Sequence, residues 1–475
     1  MNQTSANDTI KKVEELLEQE KTISPALKLA IKILLEFMTL LMNSLNKNSR
    51  NSSKPPADDK NRVRGSNRQK SDKKPGGQNG HVGANLKKTD TPDKIEQINI
   101  DKSQLPKGKY HVFGYEARQV FDVSITRVIT EYRAQILEDQ NGNRFTAPFP
   151  EHVKSEVQYG NEVKVSAVYA SQFQLIPYLR IQDQFANQMQ LPLSVGTIFN
   201  FNQECYELLA DFDAIAKQQL TAADLLHVDE TGINVNKKNT WLHVASNDNW
   251  TYFYPHAKRG TIATDAIGIL PNFTGILCHD HWKPYYTYDD CIHSLCNAHH
   301  VRELTFATEQ DNQSWAKDLR DLLLQINDEV NNSTDGVLDK NTATKYRNEY
   351  REILKAGDKE CPAPPPKPGT KRKPKKTKSR NLLERLQNYE DDTLCFMENP
   401  IVPFTNNLGE NDLRMAKVQQ KISGCFRSID GAYIFCRIRS YLSTCRKNNV
   451  GATEALRLLF NKQIPDFIAK IKKND

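Results

Sequence analysis

The sequence predicts an α/β protein with a mixed-sheet core, preceded by helical and small strand-rich modules and interrupted by a helical insertion. Three observations predict it. Apolar runs of strand length recur at 225–229, 240–246, 250–255 and 274–279, and a helix-length segment at 261–270 precedes the last of them. Helical patterning dominates 156–222 and returns after Glu303. Two of the strand-like runs end in an acid, Asp229 and Asp280, and a third acid, Glu410, opens a helix beyond the insertion.

The first module spans 1–48. Ile10, Val13 and Leu17 begin a helical stripe. Ser24 is placed to cap a second helix, with Pro25 as its first residue. Leu27, Ile31, Leu34, Met38, Leu41 and Leu45 follow the four-three spacing of a coiled-coil seam, for fewer than three full heptads. Packing within the chain and pairing with a second copy both remain open. Lys28, Lys32 and Glu36 interrupt the apolar stretch, which argues against a membrane span.

Residues 49–94 read as a basic, disordered linker. Over 47–94 there are 13 Lys and Arg against five Asp and Glu, with almost no apolar residues. Such a segment is a solvated spacer, and it also adds salt-dependent attraction to DNA phosphates. Residues 95–150 read as a small strand-rich module: 120–125 and 128–134 alternate as strands do, and Asn141-Gly142-Asn143 marks a turn. Within 151–222, a helix at 177–189, a turn at 190–193 and a Ser194-capped helix through Leu209 outline a helix-turn-helix. Val195, Ile198 and Phe199 are its expected inner side. Few basic residues line the second helix, so a plain helical hairpin is the competing reading.

The core is expected in two parts, 223–304 and 401–475, separated by the insertion at 305–400. Within the insertion, 361–380 holds eight basic residues, six prolines and no acid, an extended loop suited to DNA or to simple linkage. After Glu410 come Arg414, Lys417 and Lys421, at steps of four, three and four, so all four side chains share a helix face. Alone, that face is an ordinary solvated one. Beside Asp229 and Asp280 it becomes an oxygen-donor set for a hard divalent cation with a phosphate-binding stripe next to it. Cys291, His293, Cys296 and His299 cluster in sequence, but their spacing lacks paired-ligand loops and argues against zinc. His279, His299 and His300 are instead candidates for phosphate contacts or for supporting the acidic site, and Trp282 for stacking on DNA or packing in the core.

The chain carries 475 residues, a formal net charge of +7 and nine cysteines without a Cys-x-x-Cys pair. Reduced thiols and a polyanionic partner are the consistent reading. The polar start lacks a secretion signal, so a cytoplasmic, nucleoid-associated protein is expected.

Several stretches carry a family resemblance: HVDETG at 227–232, WLHVAS at 241–246, HAKRG at 256–260 and AIGILPNFTGILCHDHWKPY at 266–285. CNAHHVREL at 296–304, PFTNNLGENDLRMAKVQQKISGCFRS at 403–428 and RIRSYLSTCRK at 437–447 continue it. From about residue 110 onward the chain resembles the IS66-type insertion-sequence transposases, of the Asp-Asp-Glu class. The resemblance implies an RNase H-like core, with Asp229, Asp280 and Glu410 as catalytic and metal-ligating triad. It implies two Mg²⁺ (or Mn²⁺) ions, DNA cleavage at element ends and strand transfer into target DNA. Related proteins carry paired zinc-binding cysteines near 95–150; here no Cys precedes Cys205, so no structural zinc is expected. Double-stranded DNA is the expected partner, with a homo-oligomer on it and other element-encoded proteins as further candidates. Two alternatives stand beside transposition: a nuclease with the same core that does not join, and an inactive, transposase-derived DNA-binding protein.

Overall fold

The computed structural model describes residues 3–20, 22–45, 47–48, 50–52, 59, 86–365 and 374–474. Most of the basic linker and the centre of the Pro-rich basic loop lie outside the described residues. The chain divides into two compact units: Met1–Arg64, Phe149–Asp183 and Leu193–Asp475 form one, and Gly65–Pro148 with Gln184–Pro192 the other.

The first two helices are α1 (Gln3–Gln19) and α2 (Pro25–Leu45). Pro25 begins α2 as expected, and Ser24 Oγ accepts from the Leu27 N–H at 3.3 Å. Leu17 and Leu35 are buried, whereas Leu27, Leu34, Met38, Leu41 and Leu45 are exposed. The seam therefore does not pack into this chain's core.

In the smaller unit the only strands among the described residues are β1 (Ile136–Glu138) and β2 (Arg144–Thr146), an antiparallel hairpin. Its turn is the predicted one: Gly142 adopts φ 80°, and the Asp139 carboxylate accepts from the backbone N–H groups of Asn141 and Asn143. The strands expected at 120–125 and 128–134 are not formed. Alternation needs a partner strand and a face to bury, and neither is supplied: Val120 is 92 % exposed, and Val123 and Val128 are exposed as well.

Helices α3 (Asn161–Val168), α4 (Tyr178–Met189), α5 (Val195–Leu208) and α6 (Ala210–Thr221) follow. Ser194 caps α5, its Oγ accepting from the Thr197 N–H at 3.0 Å. The inner face of α5 runs through Ile198, Phe201, Asn202 and Cys205. Phe199, expected inside, is exposed, because it lies about 100° around the helix from Ile198.

The sheet has five strands: β3 (Leu225–Val235), β4 (Lys238–Ser246), β5 (Thr251–His256), β6 (Ile276–His279) and β7 (Ile292–Leu295), with α7 (Thr261–Ile267) between β5 and β6. Their order is β5-β4-β3-β6-β7. The first three pair antiparallel, and β3–β6 and β6–β7 pair parallel. The mixed-sheet α/β expectation holds. One detail differs: β3 does not stop at Asp229. It continues through Thr231-Gly232, with Gly232 opposite Trp241, and turns at Asn236-Lys237, both at positive φ. Two such residues make the tight hairpin turn that matches strand twist, so ladder pairing overrides the local Thr-Gly signal.

Helix α8 (Asn297–Asp311) leads into the insertion helices α9 (Ser314–Asn332), α10 (Lys340–Glu360), α11 (Lys378–Asn388) and α12 (Glu390–Leu394). These share an apolar core around Trp315, Leu323, Tyr346, Tyr350, Leu383 and Phe396. Helices α13 (Asn407–Ser423), α14 (Ile429–Lys447), α15 (Ala452–Phe460) and α16 (Asp466–Asn474) complete the chain. Leu413 and Ala416 of α13, with Phe435 of α14, pack against Ile233, Val235, Leu242, Val244 and Phe253. Among the described residues no helix is long and apolar enough to cross a membrane.

Candidate active site

Strand alternation and register decide which acids meet. On β3, Ile233 and Val235 face α13, so Asp229 and His227, two and four residues earlier than Thr231, face it too. Pairing of β3 with β6 ends at His227 opposite Cys278. Two residues further along each strand stand Asp229 and Asp280, at matching levels on neighbouring parallel strands. Glu410 sits in the first turn of α13, above that face.

The electrostatics agree. Burial, then the charges of Glu230, Asp280 and Glu410, push the Asp229 carboxyl well above the usual range. Burial likewise raises Asp280. Glu410 is raised by burial and by Asp280, and Arg302 opposes that rise. The three predicted acids thus lie close enough to raise one another electrostatically. Such a set of hard oxygen donors fits a divalent cation. Arg259 and Arg385 act on Asp280, and Arg302 and Arg414 on Glu410, so the acids share the site with cationic side chains.

Glu230 belongs to the other face. It is buried, its Oε2 accepts from the Tyr285 hydroxyl at 2.5 Å, and its Oε1 accepts from Arg259 Nε at 2.9 Å and Nη2 at 2.5 Å. The Arg259 guanidinium lies 4.7 Å from the Trp241 ring and 4.5 Å from the Trp282 ring. Trp282 is therefore engaged by Arg259 and Tyr285. Arg259→Ala is expected to cost about 1–2 kcal/mol in denaturant unfolding. That is below the 3–5 of a fully buried pair, because Arg259 is 40 % exposed and Glu230 can take up a proton.

Asn406, just before α13, ties three elements together. Its Nδ2 donates to Val228 O at 2.8 Å, its Oδ1 lies 2.7 Å from His227 Nδ1, and its N–H donates to Cys296 Sγ at 3.1 Å. Gly409 packs closely beside it: a Cβ there would lie 3.3 Å from Asn406 Oδ1, so the amide would have to give by a few tenths of an ångström.

The basic stripe is exposed at Arg414, Lys417 and Lys421, while Leu413 and Ala416 on the opposite side of α13 are buried. Lys417 Nζ donates to Gly232 O at 2.7 Å. The histidines separate. His279 is buried, with Nε2 3.0 Å from His293 Nδ1 and Nδ1 accepting from the His281 N–H at 3.1 Å. His300 is buried against Asn297 Oδ1 at 3.0 Å. Both rings are buried and turned to these neighbours rather than to the surface. His299 Nδ1 lies 3.6 Å from Glu410 Oε1, and burial pushes its ring down to about 3, so it is neutral. Cys291 Sγ and His293 Nε2 both turn to Tyr288 O, so the four-residue Cys/His set is not assembled.

Sequence reasoning missed Arg259, Arg302, Arg385 and Asn406. Arg302 Nη2 lies 3.9 Å from Glu410 Oε1. Arg385, on insertion helix α11, pairs with Glu303 and feels the Asp280 charge. No spacing in the sequence signals these residues, because their partners arrive through tertiary packing.

Fold and site together define an α/β protein with three half-buried acids near one end of its sheet, beside an exposed basic helix face. Residues 156–434, more than half of the chain, match the Transposase IS66 family, and the chain belongs to that family. Residues 3–87 match a family of unknown function, DUF6444. A 66-residue stretch is 38 % identical to the uncharacterized protein y4jO of Sinorhizobium fredii, covering 14 % of this chain and 21 % of that protein. The chain thus spans about a fifth of the length of that curated relative.

Proposed function

We propose that the chain is a DNA transposase that cleaves DNA at the ends of an insertion element and joins the freed 3′-hydroxyl to target DNA. The observation that carries this reading is the convergence of Asp229, Asp280 and Glu410 beside Arg414 and Lys421, in a chain of the IS66 transposase family. Three antiparallel strands followed by two parallel ones, with the acids on the central pair and a late helix, support an RNase H-like core.

Two Mg²⁺ or Mn²⁺ ions held by the three acids would supply stabilisation of charge on the attacking and leaving oxygens. The chain's own residues do the rest. Arg414 and Lys421 draw the phosphate backbone to the acidic end of the sheet. Asn406 and Lys417 hold α13 on β3, which fixes Glu410 relative to Asp229. Arg259 and Tyr285 keep Glu230 turned away, so it does not compete for the same ligand. In the first step water displaces the 3′ oxygen from phosphorus at the element end; in the second, that 3′-hydroxyl displaces a bridging oxygen in the target strand. The exposed α2 seam supports pairing with a second copy, as two DNA ends require.

Purified protein incubated with labelled element-end DNA, Mg²⁺ and a supercoiled plasmid is expected to yield cleaved ends and joined products. Cleaved ends without joined products would identify a nuclease. Bound but uncut DNA would identify a non-catalytic descendant.

A further inference from the structure

Cys296, His299 and Glu410 form a group that shares Glu410 with the triad, while Cys296 and His299 belong to neither the triad nor the basic stripe. Their Sγ, Nδ1 and carboxylate oxygen all lie within 4.8 Å of one another. Cys296 Sγ to Glu410 Oε1 is 3.9 Å, and His299 Nδ1 to the same oxygen is 3.6 Å. A tetrahedral Zn²⁺ with ordinary bond lengths sets sulfur-to-oxygen and nitrogen-to-oxygen separations of about 3.5 and 3.3 Å. Both observed distances are within a few tenths of an ångström of these, so closure needs only small side-chain rotations.

Four further features bear on a ligand there. His299 Nδ1 is buried and has no hydrogen-bond partner. Arg302 Nη2, at 3.9 Å, is too far to hydrogen-bond to Glu410 Oε1, so it does not occupy that oxygen. Cys296 Sγ accepts the Asn406 N–H at 3.1 Å, which favours a thiolate, whereas burial and Glu410 push the thiol up to about 11 in the metal-free chain, so the ion itself must displace the proton. Cys296 also stands at the N-terminus of the 15-residue helix α8, whose dipole favours negative charge there.

We infer that Cys296, His299 and Glu410 constitute a second metal site, for a soft or borderline ion such as Zn²⁺, with its fourth position open. Binding releases the thiol proton and places one thiolate, one neutral imidazole (as the Nε2–H tautomer) and one carboxylate on the ion. Mg²⁺, which takes oxygen ligands, does not compete for the sulfur. Glu410 is common to both sites, so the soft ion withdraws it from Asp229 and Asp280. The site thereby becomes an inhibitory metal switch, a consequence that rests on the transposase reading of Glu410.

Co²⁺ titrated into the purified full chain reports sulfur ligation through a near-ultraviolet charge-transfer band. The band is expected to saturate at one equivalent, to be displaced by Zn²⁺, to persist in Cys291→Ser and to vanish in Cys296→Ser. Circular dichroism of Cys296→Ser shows that its loss is not unfolding. Glu410→Gln is expected to retain the band while weakening affinity by about tenfold or more. A missing band in the wild type, or one that survives Cys296→Ser, overturns the site. In the Mg²⁺ cleavage assay, stoichiometric Zn²⁺ is expected to reduce cleavage by the wild type and to lose that effect in Cys296→Ser, each compared with its own zinc-free rate. Co²⁺ binding without any cleavage would sink the transposase reading and leave the site standing; cleavage without Co²⁺ binding would do the reverse.

Discussion

Asp229→Asn is expected to lower Mg²⁺-dependent DNA cleavage by about a thousandfold and, in metal-free protein, to raise the melting temperature. The first effect corresponds to about 4 kcal/mol, the scale of a lost ligand to a charge-stabilising ion. The second follows from the environment of the acid. Burial, Glu230, Asp280 and Glu410 all raise the Asp229 carboxyl above its ordinary value of 3.8. The folded chain therefore holds this proton to a higher pH than the unfolded chain does. Between the ordinary and the raised value the native state binds more protons, so stability falls as pH rises through that window. At neutral pH the metal-free wild type carries this cost and the amide does not. A gain of about 1 kcal/mol, or roughly 2 °C, is expected by scanning calorimetry. Mg²⁺ added at pH 7 should raise the melting temperature of the wild type and leave the variant nearly unchanged. Equal metal responses, or a destabilised variant, would remove Asp229 from the metal-binding set.

Asp280 was legible because an apolar run ends at an acid, and β6 does end there. Asp229 was legible as a residue, but its place within β3 was not. Thr231-Gly232 has the composition of a turn, and only the ladder to β4, with Gly232 opposite Trp241, keeps it extended. Choosing between Asp229 and Glu230 needed the face that each occupies, which depends on what packs above and below the sheet. The shared face of the α13 stripe was legible, since helical spacing alone sets it, but the turn of Lys417 toward Gly232 O was not. Arg302 and Arg385 were not, because their partners come from other helices. The 120–134 segment shows the converse. Its alternation is real, but a strand exists only where another strand pairs with it, and none of the described residues does.

Asn406→Ala is expected to destabilise the chain by about 3 kcal/mol and to reduce cleavage by about a hundredfold, although Asn406 touches no reacting atom. Its amide satisfies Val228 O and meets His227 Nδ1, and both of those groups lie in buried surroundings. Truncation leaves them unsatisfied, at about 1–3 kcal/mol for each buried polar group lost. The backbone N–H to Cys296 Sγ survives the substitution, so α13 keeps one of its ties and the chain still folds. What it loses is the direct link between the start of α13 and the strand residue next to Asp229. Glu410 is one helical turn further on, and a displacement of about 1 Å at a reacting centre costs on the order of a hundredfold. Urea unfolding measures the first effect and single-turnover cleavage at saturating DNA the second. Asn406→Asp keeps the contact to His227 Nδ1 if the ring donates there, but it cannot donate to Val228 O. It should therefore fall between the wild type and the alanine variant in both measurements. If Asn406→Ala lowered stability while single-turnover cleavage by the folded fraction stayed at the wild-type rate, the residue would be a structural tie only, with no part in aiming Glu410.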